Sequence, residues 1–550
     1  MVFNEPFMKK STNQLYQHAV SAQKMGQWEK VIQLLHPLLQ EMPDHAEALH
    51  LMGLAKSIQQ DHQAAEKYLL KAIQISENKY NVHTLGIIYL RKDCILKAIE
   101  YFKKALTYDN KSPEIFNNLA QSNLIMGNSF EAIHYFQTAL SIKSDAMLFS
   151  NYLICMNYTS IFTLEQIFQA HTQYVRFLQV KQAYKHQKDR ANNRIRVGYV
   201  AAHFCHNPIR FFLLPVLKNH NKNKFAICCY SDTQKEDEIT DQIKTYVDEW
   251  TQTRHMSHDE LASKIYDDQI DILVDLSGHM SCNRLPVFEQ QPARFQFTWL
   301  GYPNTTGLER IHYRFTDAIA DPPENDQYYS EELIRLSPCF LTYQPEKDSP
   351  EVSKLPADQT HTITLGSFNN LAKMNPSVIK LWSDILIALP ETTRLLIKAT
   401  PLSDKKIQEH IINKFRAYGV KNEIKCLGFL KNMQSHLELY HQVDLALDPF
   451  PYNGTTTTCD ALWMGVPVLT RCGQTHASRV GASILSCIGL SDLIAHTDEE
   501  YIAKAIYLCG HVEILREIRK NLRFMFMQSA LMDAAKFTQS MESVYEKLMS

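Results

Sequence analysis

The chain has 550 residues, a formal net charge of −2 and 45% hydrophobic residues, enough for two to four domains with sizeable cores. A charge this close to neutral excludes the basic footprint of a nucleic-acid binder. No apolar run is long enough to cross a membrane, and Met1–Thr12 lacks the apolar stretch of a signal peptide. Twelve scattered cysteines with no zinc spacing read as reduced thiols, so a cytoplasmic compartment is expected, with delivery into another cell left open.

The first third repeats with a period near 34 residues. Ala72, Ala105 and Ala139 recur in register, each preceded by seven residues by Ala65, Ala98 and Ala132. Leu69, Phe102 and Phe136 fall between them, and Gly53, Gly86 and Ala120 mark the first helix of each unit. Small residues at fixed places let paired helices cross closely, which is the tetratricopeptide pattern. Asn13–Asp44 reads as a weaker first unit. Stacked repeats form a concave groove, and a protein-binding surface is expected there. The array is assigned to residues 1–145. So few repeats need a cap, and the aromatic-rich helical stretch 146–192 is read as that cap and connector.

At Arg194 the periodicity changes. β-branched runs begin at Ile195, Phe225, Asp271, Phe295 and Tyr313, separated by helical patterns such as His258–Asp267. The pattern restarts after the linker Tyr343–Gln359, with runs at Thr362, Arg394, Ile424, Val443 and Pro467. This predicts two parallel α/β lobes, 193–355 and 356–550, with a cleft at the carboxyl ends of their strands.

The stretch Asp444–Thr470 organises the candidate chemistry. A short buried strand runs into a loop of Asp448, Pro449, Pro451, Asn453 and Gly454, then four threonines, then a helical pattern from Asp460 to Met464. Free backbone N–H groups and the positive end of a helix suit an anion, here a diphosphate. Thr455, Thr456 and Thr457 can donate hydroxyls, Gly454 permits close approach, and Asp460 can accept from a sugar hydroxyl. Threonines that merely cap a helix are the bland alternative. Lys373, after the first strand of the second lobe, supplies a compact cation for a diphosphate, and Asn370 can bond a base or sugar. His436 opens a helix where its ring can meet a base. In the first lobe His203, His206 and Asn207 follow one strand, and His279 and Arg284 follow another. No Asp-x-Asp occurs anywhere, so a metal–diphosphate motif of that kind is missing.

RVGYV, DILVDLSGH, WLGYPNTTG, FNNLAK, DPFPYNGTTTTCDALWMGVP and HASRVGAS, from Arg196 to Ser483, resemble the O-linked N-acetylglucosaminyltransferase and SPINDLY family of glycosyltransferases. The repeats match that family's layout too. The resemblance implies an α-helical repeat solenoid followed by a GT-B fold of two Rossmann-like lobes. It implies inverting, metal-independent transfer of a sugar to Ser or Thr of proteins, with a nucleotide sugar as co-substrate and no cofactor. By position, Lys373 falls on the family's diphosphate lysine, Thr456 and Thr457 on its phosphate-binding threonines, and Asp460 on its ribose-binding acid. Asn370 and His436 fall near its nucleotide contacts.

Two departures stand out. The family's Asp-Phe-x-x-His is here His203-Phe204-Cys205-His206-Asn207, and Met280 replaces a common Thr. The acceptor proton is therefore open among His206, His279 and the leaving phosphate. One branch of the family uses UDP-N-acetylglucosamine and the other GDP-fucose. His476-Ala477-Ser478-Arg479 looks closer to the first, which is the expected donor. A non-catalytic scaffold carrying a relic GT-B module is the alternative of another class.

Overall fold

The computed structural model describes residues 5–179, 182–186 and 194–550, with side chains from residue 13 onward. Parts of the expected connector, at 180–181 and 187–192, and residue 193 at the expected start of the first lobe lie outside the described residues. The chain forms two compact units, Met1–Lys143 with Thr400–Glu409, and Ser144–Ala399 with His410–Ser550. The first boundary falls two residues before the expected one. Thr400–Glu409, expected within the second lobe, groups with the first unit.

Among the described residues, the Met1–Lys143 part of the first unit forms eight α-helices: α1 (Glu5–Lys24), α2 (Trp28–Glu41), α3 (Ala46–Ile58), α4 (His62–Ile75), α5 (Lys79–Arg91), α6 (Ile95–Tyr108), α7 (Pro113–Ile125) and α8 (Ser129–Ile142). They pair α1 with α2, α3 with α4, α5 with α6 and α7 with α8, and each pair stacks on the next. The repeated alanines at 65, 72, 98, 105, 132 and 139 are all fully buried. Gly86 explains the need for small residues, because a Cβ there would lie 2.6 Å from the Phe102 ring.

The second unit carries two parallel sheets. The first contains β1 (Ile195–Ala201), β2 (Phe225–Ser231), β3 (Glu249–Gln252), β4 (Ile272–Asp275), β5 (Phe295–Thr298), β6 (Tyr313–Thr316) and β7 (Glu332–Arg335), in the order β3-β2-β1-β4-β5-β6-β7. The second contains β8 (Thr364–Ser367), β9 (Arg394–Lys398), β10 (Glu423–Leu427), β11 (Leu445–Leu447), β12 (Val468–Arg471) and β13 (Ile494–Ala495), in the order β10-β9-β8-β11-β12-β13. Both orders reverse direction beside their first strand, where doubly wound sheets open a ligand crevice.

The last helix, Ala534–Met549, departs from the expected division. It leaves the second lobe and packs Phe537, Met541 and Tyr545 into the core of the first. Burial of those three side chains drives the crossing, and a polar lock fixes it. Glu542 accepts from His220 Nδ1 (3.0 Å) and from the Asn221 N–H (2.8 Å), while the Tyr199 hydroxyl donates to His220 Nε2 (2.9 Å). Glu542→Ala leaves the buried His220 Nδ1–H and the Asn221 N–H without this acceptor and should cost about 1–3 kcal/mol. Urea unfolding is the check, and an unchanged midpoint contradicts the lock.

Candidate functional site

β8 runs into Phe368–Lys373, and its neighbour β11 runs into Asp448–Thr455. The two loops therefore meet at the reversal point of the second sheet. There the Lys373 ammonium donates to the Asn453 carbonyl (2.7 Å) and sits 4.3 Å from the centre of the Tyr452 ring. Burial holds the Lys373 pKa well below the ordinary lysine range, and the Asp448 carboxylate opposes that shift.

Asp448 anchors the loop that receives Lys373. It is 2% exposed, and its two oxygens accept from the Gly454 N–H (2.6 Å) and the Thr470 hydroxyl (2.6 Å). Burial pushes its pKa up, against those two bonds and the Lys373 charge. Sequence reasoning saw Asp448 only as a strand breaker. The usable signal was a carboxylate at the carboxyl end of a buried strand, six residues before the loop glycine. Asn453, fully buried, adds a second anchor: its N–H donates to the Ala477 carbonyl (2.9 Å) and its side chain to the Pro449 carbonyl (3.0 Å).

The threonines do not form a loop. The helix begins at Thr456, four residues before the expected Asp460, and ends at Trp463. Hydroxyls replace the missing helix propensity: Thr458 donates to the Gly454 carbonyl (3.0 Å) and Thr457 to Asn369 Oδ1 (2.9 Å). Thr455, the residue before the helix, makes no side-chain cap bond. The first-turn N–H groups have no partner within the helix. Gly454 has a packing role of its own. Its N–H is given to Asp448, and a Cβ would meet the Thr457 and Thr458 hydroxyls at 2.5 and 2.7 Å. It lets the helix start close to the loop.

Asp460 lies one turn in, 3% exposed, where it accepts from the Tyr343 hydroxyl (2.6 Å) and stands 3.7 Å from His436 Nε2. The His436 ring lies near Phe368 and Tyr440, and its Nδ1 is buried without a partner. Burial lowers the Lys398 pKa, with Asp460 opposing. Asn370 is exposed, with its carbonyl oxygen taken by the Ala372 N–H (3.1 Å). Lys373, Asn370, Gly454, Thr455–Thr457, Asp460 and His436 thus all belong to the second lobe, on three adjoining segments.

The first-lobe histidines separate. His206 is exposed, its Nδ1 3.8 Å from Glu238. His279 is fully buried; Nε2–H donates to the Thr306 carbonyl (2.8 Å), which leaves Nδ1 to accept from Ser150 Oγ (3.0 Å). Burial also drives its pKa well below the ordinary histidine range. Both nitrogens are committed and no surface reaches the ring, so His279 pins the connector rather than accepting an acceptor proton. His476 and Arg479 join the two lobes: His476 Nδ1 meets Asp321 (2.7 Å) and Arg479 donates to the Ile319 carbonyl (2.6 Å).

The raised Asp448 pKa gives stability a pH dependence. A carboxyl whose folded value exceeds its unfolded value contributes stability in full below the unfolded value. That contribution is lost as pH rises from the ordinary carboxylate range, about pH 4, through the raised folded value. Asp448→Asn should therefore flatten the loss of stability between mildly acidic and neutral pH. Urea midpoints across that interval report it, and parallel curves for the two proteins contradict the assignment.

Residues 169–347 and 349–541 match the Glycosyl transferase family 41 profile, and 46–79 match a tetratricopeptide repeat. The probable UDP-N-acetylglucosamine–peptide N-acetylglucosaminyltransferase SPINDLY of Solanum lycopersicum is 36% identical over 408 residues, covering 72% of this chain and 44% of that protein. The corresponding SEC protein of Arabidopsis thaliana is 28% identical over 368 residues, covering 64% and 37%. The chain thus spans less than half the length of these curated relatives. A mutant of the Thermobaculum terrenum O-GlcNAc transferase superposes with a TM-score of 0.77 and 29% identity, covering 100% of this chain and 98% of that one. That likeness over both lobes is the architecture of a GT-B fold. With its repeats, its paired lobes and a profile match across most of both, the chain belongs to glycosyl transferase family 41.

Proposed function

We propose that this protein transfers N-acetylglucosamine from UDP-N-acetylglucosamine to Ser or Thr of proteins, with inversion and without a metal. One observation carries the reading. A half-buried lysine meets the loop at an uncapped helix start, at the point where strand order reverses. That combination suits a leaving nucleoside diphosphate, on which negative charge grows as the glycosidic bond breaks. Lys373 and the first-turn N–H groups from Thr456 onward are in place before the reaction and stabilise that charge. Asp460 and His436 lie one turn further, where a ribose and base extend from the diphosphate.

The acceptor hydroxyl attacks the sugar from the face opposite the diphosphate in one displacement. Its proton passes to the leaving diphosphate or to His206. Protein acceptors are taken to reach the site through the repeat groove, and a cytoplasmic site of action belongs to the same reading. Among the described residues no helix is long and apolar enough to cross a membrane. The names borne by the relatives favour the N-acetylglucosamine donor. His476 and Arg479 favour it less directly, since their contacts hold the lobes together.

Lys373→Ala should lower transfer by about 10²–10³-fold. Intact-mass analysis of lysate proteins, incubated with enzyme and each nucleotide sugar in turn, measures transfer and donor together. Modification by UDP-N-acetylglucosamine, unaffected by EDTA and lost in the variant, is expected. Modification by GDP-fucose alone replaces the donor, and wild-type transfer by Lys373→Ala overturns the site.

A further inference from the structure

The first helix of the connector is followed by two residues that face different lobes. That helix is Ala146–Met156, and the two residues are Asn157 and Tyr158. Asn157 is buried and belongs to the first lobe's network. Its amide donates to the Tyr302 hydroxyl (3.0 Å) and its carbonyl accepts from Asn304 (2.9 Å). Tyr158 turns to the second lobe, where its ring lies 4.8 Å from that of Tyr452. The backbone is fastened there too. Asn375, 4% exposed, donates to the Tyr158 carbonyl (3.2 Å) and to the Phe450 carbonyl (2.9 Å).

Tyr452 is the ring beneath the Lys373 ammonium. The order of contact is therefore Tyr158, Tyr452, Lys373. An ammonium over an aromatic face is attracted to it and loses part of its hydration. The ring can do this only if something behind it stops it from swinging away, because Tyr452 sits on a loop. Tyr158 packs against it, the two ring planes tilted by 52°. Asn375 holds both backbones in one grip, and the same side chain caps the helix that follows Lys373 by accepting from the Val378 N–H (3.0 Å).

We infer that Tyr158 is a positioning residue for Lys373, acting through Tyr452, so that the connector forms part of the transfer site. The inference rests on the reading of Lys373 as the group that meets the diphosphate. It assigns a role to the ring rather than to the phenol, because the contact is ring to ring. Phenylalanine should therefore serve and an aliphatic side chain should not. The titratable groups facing the lysine are Asp448 from the β11 loop, Tyr452 on the same loop and, packed against it, Tyr158. Loss of the Tyr158 ring opens the ammonium to water from the connector side and moves its titration toward the ordinary lysine value.

The test uses the full chain with Tyr158→Phe, Tyr158→Leu and Tyr158→Ala. Competitive acetylation with acetic anhydride across pH, read by peptide mass spectrometry, follows Lys373 itself. Single-turnover transfer and melting temperature are measured on the same preparations. Tyr158→Leu and Tyr158→Ala should raise the Lys373 titration midpoint by at least about 0.5 pH unit and lower transfer by about tenfold. Tyr158→Phe should keep the midpoint and most of the rate. If Tyr158→Ala does not fold, Tyr158→Leu carries the comparison. A Lys373 midpoint identical in wild type and Tyr158→Leu, or a loss in Tyr158→Phe equal to that in Tyr158→Leu, overturns the inference. A shifted midpoint in a protein that transfers no sugar at all leaves the positioning intact and removes the transfer reading instead.

Discussion

A buried carboxylate within the electrostatic reach of a half-buried ammonium is the constraint on which the site depends. Asp448 cannot be solvated where it lies, so it collects the Gly454 N–H, the Thr470 hydroxyl and the field of Lys373. Those bonds decide where the loop turns, and the turn decides where the helix at Thr456 can begin. With Gly454 drawn onto Asp448, the Asn453 carbonyl accepts from Lys373. Removing the Lys373 charge would leave Asp448 buried with less compensation, which is costlier than never having had the pair. Both shifted pKa values express one arrangement: burial disfavours the ions, and their mutual attraction restores part of the loss.

The arrangement depends on more than the second lobe. The final helix packs into the first lobe's core, and His476 and Arg479 reach Asp321 and Ile319. Asp321 is held far below the carboxylate range, despite its burial, by His476 and Arg314. Arg314 in turn holds the carbonyls of Tyr302 and Asn304 (2.9 and 2.8 Å). These are the residues that Asn157 grips from the connector. Connector, first lobe and second lobe are thus joined by buried polar bonds that are expensive to break, which keeps the lysine and its loop in register.

Much of this was legible in the sequence, for identifiable physical reasons. The repeats were visible because close helix crossing forces Ala and Gly to recur, as at Gly86 against Phe102. The central strands were visible because burial on both faces demands continuous apolar runs, as in Ile272–Asp275. The strands that sequence reasoning missed are edges. Glu249–Gln252 and Glu332–Arg335 are half exposed and carry charge, and Ile494–Ala495 has two residues. Lys373 and the threonine segment were found because strand ends point to crevices. Their local chemistry was not, because helix start, glycine and threonine hydroxyls are arranged by Asp448, a contact no local pattern announces. His279 misled for the converse reason. A histidine at a strand end reads as catalytic until the residue on its other side, Ser150, comes from 129 positions away.

The central claim is that Lys373 and the loop beside it recognise a diphosphate. Calorimetric titration of UDP and UMP into wild-type protein and Lys373→Ala addresses that claim without requiring an acceptor. The account predicts that wild type binds UDP at least about tenfold more tightly than UMP, a margin of about 1.4 kcal/mol, and that Lys373→Ala loses most of that margin while still binding UMP. Equal affinities for UDP and UMP in wild type, or an undiminished margin in Lys373→Ala, would contradict it.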